Sequence, residues 1–243
     1  MEETKTLENN KINQFILRID LSEDACVDLK QVAEKLKGMF NSFKTELHVN
    51  YNINVPKKEF KKEDYIKYLL GTPPATCVQL ESFEKSIIIT TINYKDNSAY
   101  KAILSRIIEV IQEEYSDKCI SARRIGMRYI NNFPCAKIAD ISKILNISEA
   151  RAIKEIAGKN QLARAMLVHE YQMEDNMVRI QLGIPNRFYP SIIRNYDIVL
   201  DIDVYSTGLQ SIDLWNEKIR SFNHQAYDHF VNYVKETYRQ GMK

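Results

Sequence analysis

Two arginines with a glycine between them sit in the stretch Ser121-Ala122-Arg123-Arg124-Ile125-Gly126-Met127-Arg128-Tyr129-Ile130-Asn131-Asn132. If this stretch is a strand, period-two geometry puts Arg124, Gly126, Arg128, Ile130 and Asn132 on one face. Arg123, Ile125, Met127, Tyr129 and Asn131 then take the other. The gap at Gly126 lies between two forked donors, a shape that fits a carboxylate or a phosphate. The competing and favoured reading is that Arg124 and Arg128 pair with acids on a neighbouring strand, as strand arginines usually do.

A second set of chemically capable groups is Asp201 and Asp203, which share a face with Tyr205, opposite Ile198, Leu200, Ile202 and Val204. Two carboxylates at that spacing can hold a divalent metal or act as an acid–base pair. A metal would need a third ligand, which Glu170, His169 or Glu81 would have to bring. The simpler expectation is that both acids neutralise Arg124 and Arg128, because partly buried charges are paired.

The chain has four histidines, His48, His169, His224 and His229. His224 and Asp228 are four residues apart on a helical pattern and suit a local hydrogen bond. His229 lies beside an apolar stripe. There is no His-Glu-x-x-His zinc pattern, no nucleophile elbow and no Cys-x-x-Cys pair. No catalytic residue, metal set or cofactor is therefore expected. The ligand- or partner-binding candidates are Arg124, Arg128, Asn132, Asp201, Asp203 and His224.

These groups need strands to position them. Phe15, Leu17, Ile19 and Leu21 alternate as a strand does. Ser22 is placed to cap a helix whose apolar face runs from Cys26 to Leu36. Leu47, Val49, Tyr51, Ile53 and Val55 predict a strand with one core face, while His48, Asn50, Asn52 and Asn54 face away with Glu46. The charged segment Lys57 to Lys67 is expected to be a short helix or loop, and Gly71-Thr72-Pro73-Pro74 a turn. Strands follow near Thr76 to Ser82 and Ser86 to Tyr94. A strongly amphipathic helix then carries Tyr100, Ile103, Leu104, Ile107, Ile108, Ile111 and Tyr115. After the long arginine strand, two short helices and a hairpin from Gln161 to Ile184 are expected. Ile198 to Tyr205 is a further strand. A single helix of about 40 Å is expected from Ser211 to Arg239, at ~1.5 Å per residue.

Runs of antiparallel strands leading into helices predict an α+β fold. The expected form is a curved antiparallel sheet with long amphipathic helices packed on one face, helix-grip-like. Ile88 to Tyr94 and Val199 to Tyr205 each lead through a turn into a helix, which suggests an internal pseudo-repeat. The chain would then be one α+β domain with two similar halves, about 1–135 and 136–243.

Composition bounds the function. The chain has 243 residues, 44% of them hydrophobic, enough for a sizeable core. Its 34 basic and 32 acidic side chains leave a net charge of +2, so bulk charge does not point to nucleic acid. Seven glycines leave little room for a phosphate-cradling loop. Met1 to Asn10 is polar and acidic, unlike a secretion signal. No apolar run approaches the ~20 residues that span a bilayer. A cytoplasmic protein with free thiols is expected.

The segment Arg124-Ile125-Gly126-Met127-Arg128-Tyr129-Ile130-Asn131 resembles the R-x-G-x-R-Y-x-N strand of a sporadically distributed bacterial family of uncharacterised proteins of about this length. An acidic strand like Leu200 to Tyr205 and a long C-terminal helix with an Asn/Leu-x-His element before a Phe complete the resemblance. Here the helix reads Phe222-Asn223-His224 ahead of Phe230, with Asn223 where the family often has a hydrophobic residue. The resemblance implies a single-domain protein without assigned activity, of the patchy distribution common in defence or toxin–antitoxin loci. The expected function is non-enzymatic binding of another protein, or regulation. The alternatives are an anionic-ligand binder with a cavity between sheet and helix, and a metal-dependent hydrolase or nuclease using Asp201 and Asp203.

Overall fold

The computed structural model describes residues 11–72, 75–92, 94–116, 118–157, 163–186, 188–193 and 196–242. The expectations on Met1 to Asn10, on Pro73-Pro74 and on the hairpin start at Gln161 lie outside them.

Alternation of apolar side chains builds β1 (Ile12–Leu21), in which Phe15, Leu17, Ile19 and Leu21 are all buried. Helix α1 (Leu29–Leu36) follows. Its cap is Asp28 and not Ser22: the Asp28 Oδ1 accepts the Lys30 N–H at 2.9 Å. β2 (Phe43–Asn54) and β3 (Glu59–Leu70) form a long hairpin. The charged segment from Lys57 is thus mainly strand, a correction to the helix or loop expected there. β4 (Cys77–Glu81), β5 (Ser86–Ile92) and α2 (Ser98–Glu114) complete this part.

β6 (Ser121–Phe133) carries the arginines. Short helices α3 (Ile141–Ile144) and α4 (Ile147–Ala157) lead into β7 (Ala165–Gln172), β8 (Asn176–Ile184) and β9 (Ile198–Ser206). A two-residue strand, β10 (Gln210–Ser211), pairs with the start of β6. The C-terminal helix is not one rod. α5 (Trp215–Tyr233) is 19 residues, about 28 Å, and α6 (Glu236–Gln240) follows a break. The break lies at Val234, which turns extended and bridges to Leu145.

All strands belong to one antiparallel sheet in the order β2-β3-β4-β5-β1-β6-β9-β8-β7. β1 and β6 lie side by side at its centre. β1 pairs on its other side with β5, the strand that feeds α2, and β6 with β9, the strand that leads on to α5.

The helices α1, α2 and α5 cover one face. Phe15 packs in tilted contact with Tyr94, Tyr100 of α2 and Tyr129 of β6 at ring distances of 5.1, 4.6 and 5.0 Å. Burial pushes the Tyr100 hydroxyl up to about 12. The Tyr129 hydroxyl donates to the Asn223 Oδ1 on α5 at 2.8 Å, which gives that asparagine its role. Trp215, fully buried, donates its indole N–H to the Gln210 carbonyl at 3.0 Å and anchors the start of α5. The far end of α5 is tied down where the Tyr233 hydroxyl meets the His169 Nδ1 at 2.6 Å. Among the described residues no helix is long and apolar enough to cross a membrane.

One apolar strand face escapes this layer. Leu47, Val49, Tyr51, Ile53 and Val55 were expected to be core, yet all are exposed. The hairpin of β2 and β3 runs past the end of α1, so nothing among the described residues packs over its outer part.

Candidate functional site

The arginine strand positions its side chains on the sheet face turned away from α2 and α5. Tyr129 and Phe133 of β6 point to the helices, where Phe133 stacks on Phe230 at 6.5 Å. Arg124, Gly126 and Arg128 take the other side. Arg124 and Arg128 therefore face away from the space between sheet and helices.

Register sets up a row of alternating charge across four strands. Glu170 of β7 stands opposite Arg179 of β8, Arg179 opposite Asp203 of β9, and Asp203 opposite Arg128 of β6. Opposite charges directly across a ladder stabilise each other. Arg128 nevertheless reaches diagonally to Asp201, with Nε 2.8 Å from Oδ1 and Nη2 2.6 Å from Oδ2. This two-pronged bond pushes the Arg128 guanidinium above its ordinary value, against the opposing effect of burial. Asp201 is buried and its charge is matched there.

Asp203 is served less well. The Arg124 Nη2 is 3.5 Å from its Oδ2, and Arg179 holds Glu170 at 3.4 Å instead. Burial lifts the Asp203 carboxyl above its usual value, and the pull of Arg124 and Arg128 does not cancel it. Arg124 itself lies along the sheet over Gly126. A Cβ at Gly126 would stand 3.7 Å from both Nε and Nη2 of Arg124, and 3.3 Å from the Cβ of Tyr205. The guanidinium ends over the Tyr205 ring, 4.5 Å from its centroid. Its Nε is buried and finds no acceptor among the described residues.

A depression of about 460 Å³ opens here, lined by Arg123, Arg124, Arg179, Asp203, Tyr205 and Thr207, with Ser206. Strict alternation would send Arg123 to the core side. The register between β1 and β6 slips between Asp20, opposite Arg124, and Leu21, opposite Ala122. Arg123 is the extra residue of this bulge and is exposed. Its Nη2 donates to the Glu84 carbonyl at 3.3 Å, a neutral partner, and no carboxylate among the described residues pairs with it. Among the described residues, three guanidinium groups line this space and Asp203 is its one carboxylate.

The remaining candidates lie elsewhere. Asn132 sits at the end of β6, where its backbone N–H donates to the Lys11 carbonyl at 2.8 Å. His224 is exposed on α5, in the helical layer, with Nε2 3.7 Å from Asp228. No three His, Cys, Asp or Glu side chains converge among the described residues. Of the third ligands considered, Glu81 pairs with Lys67, His169 faces Tyr233, and Arg179 stands between Glu170 and Asp203.

Sequence reasoning missed Arg179, Arg123 and Thr207. Arg179 had a signal: it alternates with the apolar Val178, Ile180 and Leu182 and so had to face the arginine side. Arg123 had none, because a bulge leaves no mark in the hydrophobic pattern.

No protein-family model matches the chain, and no curated protein matches it.

Proposed function

We propose that this is a non-enzymatic binding protein that holds an anionic group, a phosphate or carboxylate of a ligand or of a partner, in the depression between Arg123, Arg124 and Arg179. The observation that carries this reading is the Arg124 guanidinium. It is held flat by Gly126 and Tyr205, with one buried N–H lacking an acceptor among the described residues and one long contact to Asp203. The guanidinium is 38% exposed and its one carboxylate contact is long, so an oxyanion accepting from its exposed N–H groups would improve its pairing. Arg128 and Asp201 form the fixed floor beside it and are not themselves the ligand anchors. A planar fork aimed at an open space suits an oxyanion better than a neutral group.

Calorimetric titration with sulfate, inorganic phosphate and citrate tests the reading. Binding of at least one should be lost or weakened on the order of tenfold, about 1.4 kcal/mol, in Arg124→Ala and in Arg179→Ala. His224→Ala should bind as the parent does. No heat and no thermal shift with any of the three anions would remove the proposal.

A further inference from the structure

β2 is the outer strand of the sheet, and no strand pairs with its far edge among the described residues. It is 12 residues long, about 40 Å at ~3.3 Å per residue. Its register to β3 runs unbroken from Phe43 opposite Leu70 to Asn54 opposite Glu59, with no bulge. It contains no proline. Edge strands are ordinarily protected by bulges, prolines or charges, and this one carries only Lys44 and Glu46 besides His48.

The apolar row lies on this same edge strand and ends at Val55, the first residue of the turn. Leu47, Val49, Tyr51, Ile53 and Val55 are between 40% and 76% exposed. The inner neighbour β3 is different: on the same face it places Lys62 and Asp64, which pair at 3.3 Å, beside Phe60. Exposed surface of this kind marks an interaction site when it is contiguous. A row of free backbone N–H and C=O groups calls for an extended strand, not a helix. The strand that fits must alternate apolar and uncharged polar residues in step with β2.

We infer that the occupant is β2 of a second copy of this chain, paired antiparallel about a two-fold axis at Val49. That register sets Val49 against Val49 and Leu47 against Tyr51 of the second copy, so the three central apolar side chains gain apolar neighbours across the strands, while Ile53 falls opposite Thr45. Lys44 and Glu46 fall opposite uncharged positions. A parallel arrangement in register would instead set Lys44 against Lys44 and Glu46 against Glu46, which is unfavourable. The two-fold arrangement also closes the edge on both copies, where a head-to-tail contact would leave one open. The pairing is independent of the anion depression, which lies on the opposite face between β6, β8 and β9.

The test is sedimentation of the full chain over a wide concentration range, with hydrogen exchange of the β2 amides. A reversible dimer is expected, with protection of alternate β2 amides rising with concentration. Val49→Lys and Val49→Glu should each be monomeric, since the axis sets like charges together. Mixing the two should restore a dimer. Val168→Lys, on the opposite edge strand β7, should leave the dimer intact. A monomer at every concentration would overturn the inference, as would a dimer indifferent to Val49→Lys or one without β2 protection. If the charged variants fail to fold, the exchange measurement on the parent chain still decides.

Discussion

Arg128 bonds to Asp201 through both prongs, although Asp203 is the acid directly across the ladder from it. The diagonal choice has a consequence two residues away. It satisfies the more buried acid and leaves Asp203 to the looser Arg124. The depression owes its unmatched charge to that allocation.

Breaking the diagonal pair should cost stability without touching the anion anchors. Arg128→Ala strands a buried carboxylate and should cost roughly 2–3 kcal/mol, less than a fully buried pair because Arg128 is part-exposed. Asp201→Asn should cost less, since the amide still accepts one hydrogen bond. In urea denaturation the double variant should be more stable than the sum of the two single losses implies.

Gly126 is needed for the posture of Arg124 and not for backbone strain. Gly126→Ala has Tyr205 as its tightest neighbour at 3.3 Å and should fold with a small loss. Gly126→Val fills the space over which Arg124 lies and should weaken sulfate binding on the order of tenfold, about 1.4 kcal/mol. Circular dichroism alongside calorimetry separates misfolding from lost binding.

Asp203 should make binding depend on pH. Its carboxyl is raised in the folded state, chiefly by burial. The folded chain therefore holds that proton more tightly than the unfolded chain does. Stability from this group is fully present below the unfolded value and is lost as pH rises through the folded value. An anion beside Asp203 favours the same protonated form. Sulfate, which keeps its charge across the range, should bind more tightly as pH falls through the raised value. Asp203→Asn should flatten that dependence, bind sulfate more tightly at neutral pH, and be no less stable there than the parent.

The Tyr129–Asn223 bond joins β6 to α5 across the core. Asn223→Ala removes the acceptor on α5 and leaves the buried Tyr129 hydroxyl only its hydrogen bond with Tyr94, and should cost about 1 kcal/mol in thermal denaturation. In a Tyr129→Phe background, which already lacks the hydroxyl, Asn223→Ala should cost less.

The sequence made the arginine strand, the acidic strand and their opposition legible, because both alternate strictly and face a core on one side. It did not reveal β3, since a hairpin arm that extends beyond the helices has solvent on both faces and no reason to alternate. Lys57 to Lys67 reads as charge alone for that reason. The opposite error occurred in β2, whose alternation is real but whose apolar side meets no helix. The long C-terminal helix was read through Val234 because its apolar spacing continues; the strand-like bridge to Leu145 is a tertiary effect. Arg123 was misplaced by a single inserted residue, and which acid Arg128 would choose depends on side-chain reach, not on register.

With α1, α2 and α5 all on one side, the arginine face carries none of these three helices. A visitor need not pry apart the packed interior to reach it. Traffic there should follow the rules of encounter in salt water: quick arrival, quick departure, and a grip that slackens as the ionic strength climbs.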